Sequence, residues 1–252
     1  MKKLGLIGYP LGHSFSKKYY LEKFEKEHIE HIDYDLYPIE RITDFPPIFM
    51  NKDFYGVNVT IPYKIDVMEY LNELSEEAEA IQAVNCIRIR HLPDGTPHLK
   101  GYNTDAYGFK ASLKPLLVPH DKNALILGNG GAAKAVTYAL DQLGITHKLV
   151  SRTKQIDNYT YDELDAAILA EYTLIINCSP VGTFPNIAEF PHVPYKYIND
   201  HHLLYDLIYN PEETAFLKKG KEKGARTKNG YEMLLLQAEK NWEIWNSESF
   251  SI

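Results

Sequence analysis

Cysteine is scarce in this chain, with 2 among 252 residues. Cys86 and Cys178 stand far apart in apolar, strand-like runs, which excludes a disulfide framework and a cysteine metal site. Both are expected to be buried and reduced, and no metal site is expected. Long apolar runs are missing as well. Nowhere do roughly eighteen apolar residues follow one another, which excludes a membrane-spanning helix. The opening MKKLGLIGYP reaches Gly8, Pro10 and Gly12 after too few apolar residues for a secretory signal. Positive charge is in deficit: 27 lysines and arginines stand against 34 acids, a net charge of −7. A broad basic surface for nucleic acid is thereby excluded, and any anion site must be local. No internal repeat and no low-complexity tract occurs. What is left is the composition of a globular, cytoplasmic protein, 44% hydrophobic and 24% charged. The length suits one large or two modest domains.

The most informative stretch runs from Ala124 to Leu140, ALILGNGGAAKAVTYAL. Ala124 to Leu127 is wholly apolar, as a strand buried on both faces of a parallel sheet requires. Gly128, Gly130, Gly131, Ala132 and Ala133 follow, and Ala135, Val136, Ala139, Leu140 and Leu143 then recur at helical spacing. Strand, glycine turn and helix form the context of a dinucleotide site of the G-x-G-x-x-A kind. Gly128 permits the tight turn, Gly130 lets the backbone approach a pyrophosphate, and Ala133 lets helix and strand pack closely. A glycine-rich turn without a ligand is the alternative. The next strand, His147 to Val150, runs into Ser151, Arg152, Thr153 and Lys154. An acid about 20 residues past the glycines would hold the ribose 2′-hydroxyl of NAD, but none occurs before Asp157. Arg152 and Lys154 suit a 2′-phosphate, so the expected cofactor is NADP; a solvated basic loop is the alternative.

Upstream, Leu4 to Ile7 forms a strand, and the loop after it carries His13, Ser14, Phe15 and Ser16 ahead of a helix from Lys17 to His28. The two hydroxyls can cap that helix or bind an anion. After a strand from Ile32 to Tyr37, a helix interrupted by Pro46 and Pro47 is predicted over 39–50. The strand Tyr55 to Thr60 leads into Pro62, and Ile65, Met68 and Leu71 keep a helical period. That puts Lys64 in a first helical turn, the wrong end of the dipole for a lysine. Such a misfit is of the kind found at functional sites; a lysine extended into solvent is the alternative. Asn85 lies in the strand Ala83 to Arg90, which pairs with His98 to Tyr102 around a Pro93-Asp94-Gly95 turn. Asp105 opens a helix to about Leu117, where it can serve as cap or dipole partner. Pro115 and Pro119 mark a domain boundary. Thr160 and Glu163 form a capping-box pair. Further strands at Leu174–Ile176, Leu203–Leu207 and Ala225–Thr227 alternate with helices at Glu212–Gly220 and from Tyr231 to about Trp245. This alternation predicts a doubly wound parallel sheet.

Eight segments in order now carry a resemblance. They are G-x-P-x-x-H-S-x-S (Gly8 to Ser16), N-V-T-I-P-Y-K (Asn58 to Lys64), A-V-N (Ala83 to Asn85) and G-Y-N-T-D-A-Y-G-F (Gly101 to Phe109). G-N-G-G-A-A (Gly128 to Ala133), S-R-T (Ser151 to Thr153), D-L-I-Y-N-P (Asp206 to Pro211) and N-G-Y-E-M-L-L-L-Q-A (Asn229 to Ala238) complete them. Together they resemble the shikimate dehydrogenase family across almost the whole chain. The resemblance implies an α/β protein of two domains, an N-terminal substrate domain and a Rossmann-type doubly wound nucleotide domain. Residues 1–107, completed by the C-terminal helix 231–252, would bind substrate, and 108–230 would bind NADP. Ser14 and Ser16 would hold the substrate carboxylate, and Thr60, Asn85, Asp105, Tyr209 and Gln237 the ring hydroxyls and their surroundings. Lys64 and Asp105 would be the catalytic pair. Gly128, Asn129, Gly130, Gly131, Ala132, Ser151, Arg152, Thr153, Lys154, Leu207 and Gly230 would surround the cofactor.

The implied reaction is reversible hydride transfer between NADPH and 3-dehydroshikimate, by a monomer or homodimer with no nucleic-acid or membrane partner. Asn129 stands where the family commonly has alanine, Ser151 where it has asparagine, and Leu207 where it often has methionine. The segment from Lys154 to Thr173 is short. All of these departures touch the nucleotide domain. The competing readings are a quinate/shikimate dehydrogenase that accepts NAD, another NADP enzyme such as a methylenetetrahydrofolate dehydrogenase, and a non-catalytic NADP-binding protein on the same scaffold.

Overall fold

The computed structural model describes residues 1–12 and 14–247; His13 and residues 248–252 of the expected C-terminal segment lie outside them. The chain divides into two compact units, Met1–Thr104 with Ala238–Ile252, and Asp105–Gln237.

The first unit contains β1 (Lys2–Gly8), α1 (Phe15–Lys26), β2 (Ile32–Pro38), α2 (Pro46–Phe49), β3 (Phe54–Val59), β4 (Glu73–Leu74), α3 (Glu76–Ile81), β5 (Cys86–His91) and β6 (Pro97–Tyr102). Its sheet has the order β2-β1-β3-β5-β6-β4. Strand β1 runs parallel to β2 and β3, whereas β5 is antiparallel to β3 and to β6. Side-chain alternation sends Leu4 and Leu6 into an aromatic cluster with Tyr20, Phe24, Tyr34 and Trp245. Ile7, Val57 and Val59 join Phe45 and Val67 in another. Gly56 has no room for a side chain, because a Cβ there would strike the Trp245 indole.

Two predicted helices of this unit are not formed as expected. Residues 61–65 make a turn, followed by a 3-10 helix over Asp66–Tyr70, so Lys64 is not in the first turn of an α-helix. The helical period there is overridden by sheet pairing: Asn72 donates its N–H to the Leu99 carbonyl at 2.9 Å and accepts the Leu99 N–H on Oδ1 at 2.8 Å. The segment over 39–50 holds only a 3-10 turn, Ile42–Asp44, and the single turn α2, since Pro46 and Pro47 donate no backbone hydrogen bond. Helix α3 was not expected; Ser75 caps it by accepting the Ala78 N–H at 3.2 Å.

The second unit contains α4 (Asp105–Leu113), β7 (Asn123–Leu127), α5 (Gly131–Gln142), β8 (Thr146–Ser151), β9 (Asn158–Thr160), α6 (Ala166–Glu171), β10 (Leu174–Asn177), β11 (Leu203–Asp206), α7 (Ala215–Lys221), β12 (Arg226–Lys228) and the start of α8 (Tyr231–Asn246), up to Gln237. The sheet order is β12-β11-β10-β7-β8-β9, and every pair is parallel. Both faces are covered, as the apolar strands require. Phe109, Leu113, Val136 and Leu140 pack with Ala124, Ile126 and Ile176, while Leu169, Phe216 and Leu217 pack with Leu125, Leu127 and Ile175. Helix α8 serves two cores: Met233 belongs to the second unit's and Trp245 to the first's. The compact units part at 104/105 and 237/238. The first half of α8 lies against α4, where a Cβ on Gly108 would stand 2.5 Å from the Met233 carbonyl oxygen.

Candidate active site

In the first unit the expected residues gather at one edge of the sheet. That edge takes the carboxyl ends of β1 and β3, the start of β5 and the end of β6, because β5 reverses the direction of the chain. Thr60 leaves β3 with its N–H on the Ile7 carbonyl at 3.0 Å, and a Cβ on Gly8 would run into the Thr60 methyl. Lys64 is half-buried, and its carbonyl accepts the Val84 N–H at 2.7 Å. This bond ties Lys64 to the segment that carries Asn85. Val59 donates to the Asn85 carbonyl at 2.9 Å.

Asn85 is buried and held in one orientation. Its Oδ1 accepts the Thr104 N–H at 2.8 Å, and its Nδ2 donates to Thr104 Oγ1 at 3.0 Å. Thr104 Oγ1 lies 2.6 Å from Asn241 Oδ1, and Asn58 Nδ2 reaches the Asn85 carbonyl at 3.2 Å. Tyr34 Oη donates to Asn58 Oδ1 at 2.9 Å, and a hydrogen bond with the Ser16 hydroxyl also engages Tyr34. Burial raises the Tyr34 phenol pKa well above its usual range, so it remains a donor. Tyr34, Thr104 and Asn241 had no assigned role from the sequence. For Thr104 the signal that was available is a polar residue just past a strand end; for Tyr34, inside β2, and Asn241, inside a helix, there was none. Ser14 caps α1, accepting the Lys17 N–H at 3.4 Å. Acceptance uses a lone pair and leaves the hydroxyl proton to donate. Lys17 itself is held by Asp35 at 2.6 Å, which lowers the Asp35 pKa.

In the second unit the expected residues again follow strand ends. The order of the strands places β8 on one side of β7 and β10 on the other, so the glycine turn after β7 lies at the topological switch point, where α/β sheets bind ligands. Gly128 takes φ +106° and packs against Ser179, whose N lies 3.3 Å from where a Cβ would stand. Gly130 and Gly131 meet nothing within 4 Å of their Cβ positions. Gly130 is the N-cap of the 12-residue α5 and offers no side-chain cap. The Ala133 N–H is taken by the Gly130 carbonyl at 3.0 Å, so it is the Gly131 and Ala132 N–H groups that an outside acceptor such as a pyrophosphate would meet. Asn129 is exposed and Ala132 half-buried in the same turn. The residues fit a dinucleotide.

After β8, Ser151 is buried, whereas Arg152, Thr153 and Lys154 are exposed. Asn158 fixes this loop: its Nδ2 donates to Ser151 Oγ at 2.7 Å and to the Thr153 carbonyl at 3.0 Å. Its Oδ1 accepts the Gln155 N–H at 2.6 Å. After β11, Leu207 and Tyr209 are half-buried, and burial raises the Tyr209 pKa. Gly230 is pressed on the Leu207 carbonyl, with its N–H on the Ile208 carbonyl at 3.1 Å. Gln237 is buried and donates to the Leu234 carbonyl at 3.1 Å. Asp105 is the first residue of α4, at the positive end of the helix dipole, which favours a carboxylate.

Asp206, which sequence reasoning left without a role, is fully buried behind the loop after β11. Thr214 Oγ1 donates to it at 2.6 Å, Asn177 Nδ2 at 3.0 Å and the Ile208 N–H at 3.1 Å. Burial raises its pKa to about 6 against these three hydrogen bonds. Asn177 Oδ1 in turn accepts the Ser179 N–H at 3.0 Å and hydroxyl at 2.7 Å, so Asp206 supports the segment against which Gly128 packs. The cysteines are both free. Cys86 is buried as expected, but Cys178 is only partly covered, although burial raises both thiol pKa values. Among the described residues no cluster of metal-ligating side chains and no helix long and apolar enough to cross a membrane occurs.

A family model for the shikimate dehydrogenase substrate binding domain matches residues 6–87. The shikimate dehydrogenase (NADP(+)) of Clostridium beijerinckii is 43% identical over 97% of this chain and 92% of its own. Among solved structures, the shikimate 5-dehydrogenase of Thermus thermophilus in complex with NADP(H) and shikimate is similar with a TM-score of 0.83 and 29% identity, over 98% of this chain and 94% of that one. The Listeria monocytogenes shikimate 5-dehydrogenase, solved with shikimate and NAD, matches with a TM-score of 0.83 and 27% identity, over 97% and 91%. On this full-length likeness the chain belongs to the shikimate dehydrogenase family.

Proposed function

We propose that the chain reduces 3-dehydroshikimate to shikimate with NADPH, reversibly, on the route to aromatic amino acids. The observation that carries this reading is the likeness over 97% of the chain to an NADP-dependent shikimate dehydrogenase. Placement of the expected residues at strand ends in each unit supports it. Residues 1–107 with 231–252 serve as the substrate-binding and catalytic domain and 108–230 as the NADP-binding domain, in a cytoplasmic monomer or homodimer.

When bound, NADP supplies the hydride chemistry. The protein positions the reactants and manages one proton. Lys64 takes that proton from the substrate hydroxyl in oxidation and returns it in reduction, or stabilises the developing alkoxide by its charge. Asp105 is its catalytic partner and also orients the substrate, with Thr60, Asn85, Tyr209 and Gln237 on the ring hydroxyls. Ser14 and Ser16 hold the carboxylate; for Ser16 this means turning its hydroxyl away from Tyr34. Gly128 to Ala132 hold the pyrophosphate, Ser151 to Lys154 surround the adenosine end with Arg152 on its 2′-phosphate, and Leu207 and Gly230 complete the cofactor surroundings. The test is loss of NADPH absorbance on adding 3-dehydroshikimate to the purified chain. No turnover with either NADPH or NADH overturns the reading. Turnover of quinate with NAD at a rate matching shikimate with NADP replaces it by the broader quinate/shikimate activity.

A further inference from the structure

The basic pair after β8 is not symmetrical. The Lys154 ammonium has three protons and three acceptors around it: Glu163 Oε1 at 2.8 Å, Glu163 Oε2 at 2.9 Å and the Asn158 carbonyl at 2.9 Å. Its donor capacity is used. Glu163 is itself anchored, since its Oε2 accepts the Thr160 N–H at 2.7 Å in a capping box. Lys154 and that backbone N–H lower the Glu163 pKa, so it stays ionised at neutral pH. The loop backbone cannot easily swing away, because Asn158 binds Ser151, Thr153 and Gln155 at once. Asp157, the other acid on this side, is held by Lys148 at 2.7 Å. Arg152 stays exposed.

We propose that Glu163 is a specificity-determining residue that withholds Lys154 from the 2′-phosphate of NADP and leaves its recognition to Arg152. This rests on the reading that the Ser151–Lys154 loop meets the 2′-phosphate. A phosphate arriving at Lys154 must displace a carboxylate of its own sign, whereas the neutral 2′-hydroxyl of NAD meets no such repulsion. Glu163 therefore weakens NADP without weakening NAD, and it narrows the margin between them. Lys154 and Glu163 have side-chain exposures of 54% and 42%, so water and salt screen the pair and the effect is modest.

The measurement is the dissociation constant of NADP and of NAD, read by protein fluorescence on the intact chain without substrate. Glu163→Gln is the informative variant, because glutamine still closes the capping box while losing the charge. It is expected to tighten NADP about two- to fivefold, the range an exposed ion pair commands, and to leave NAD unchanged. Adding Lys154→Ala to Glu163→Gln is expected to abolish the gain, while Lys154→Ala alone changes NADP binding by less than about twofold. The gain should shrink as salt is raised. If Glu163→Gln leaves NADP binding unchanged or weakens it while Arg152→Ala weakens NADP alone, the role of Glu163 is overturned and the loop reading stands. If Arg152→Ala weakens NADP and NAD equally, the loop reading fails and the proposal with it.

Discussion

The two units build their sites from opposite materials. At the sheet edge of the first, side chains hold side chains: Tyr34, Asn58, Asn85, Thr104 and Asn241 form a buried chain of hydrogen bonds. At the switch point of the second, the surface offered to a ligand is bare backbone, with open space at Gly130 and Gly131. Its polar side chains, Asp206, Asn177 and Asn158, stand one layer behind and brace the loops. The difference follows from the ligands proposed for each. A small ring with several hydroxyls is told from its relatives by donors and acceptors in set orientations, so those groups must be immobilised in advance. A pyrophosphate is a large anion that a row of N–H groups and a helix dipole can hold without any side chain.

This contrast can be broken most forcefully at Lys64. Lys64→Ala is expected to lower kcat by about 10²–10⁴, the range of a positioned acid–base group, with little change in KM. A kcat near wild type would remove Lys64 from the mechanism. The next effect is on stability and tests the bracing layer. Asp206 has a folded pKa of about 6, raised above an unfolded value of roughly 3.9. Its contribution is complete below about pH 4 and is lost as pH rises through about 6, on the order of 3 kcal/mol. Urea unfolding across that window should therefore show stability falling more steeply with rising pH in wild type than in Asp206→Asn. Parallel curves for the two would mean that Asp206 does not titrate there.

Smaller effects sharpen the nucleotide side. Arg152→Ala is expected to weaken NADP about ten- to a hundredfold and NAD hardly at all, as loss of a charge-assisted phosphate contact would. Calorimetric titration with each cofactor decides it. The smallest change is Gly131→Ala. Nothing crowds a Cβ there, so the free protein should gain about 0.4–1 kcal/mol in stability from a stiffer unfolded chain. NADP should nevertheless bind more weakly, because the methyl occupies the cradle. A raised Tm with unaltered NADP affinity would mean that the space at Gly131 is not used.

Much of this was legible in the residues. The apolar run Ala124–Leu127 and its glycines specify a strand, turn and helix by local chemistry alone, and the structure places them so. The Thr160–Glu163 box was equally plain. Lys64 was misplaced because Ile65, Met68 and Leu71 carry a helical period, while the competing instruction, Asn72 pairing with Leu99, is written 27 residues further on. Strand β9 is three residues long, and its Asn158 acts on Ser151 through side-chain hydrogen bonds that no periodicity encodes. Glu163 was legible as a cap and not as the partner of Lys154, nine positions away. What a sequence hides here is pairing between loops.

Helix α8 has a consequence for the order in which the protein is made. The second unit is one unbroken segment, Asp105–Gln237, whereas the first is completed by residues from Ala238 onward. Until Trp245 leaves the ribosome, Leu4, Tyr20 and Tyr34 lack the indole that packs against them. The nucleotide unit therefore has its whole core available while the first unit still waits for its last piece, and the aromatic face of the N-terminal sheet has only α1 to cover it through the synthesis of everything between.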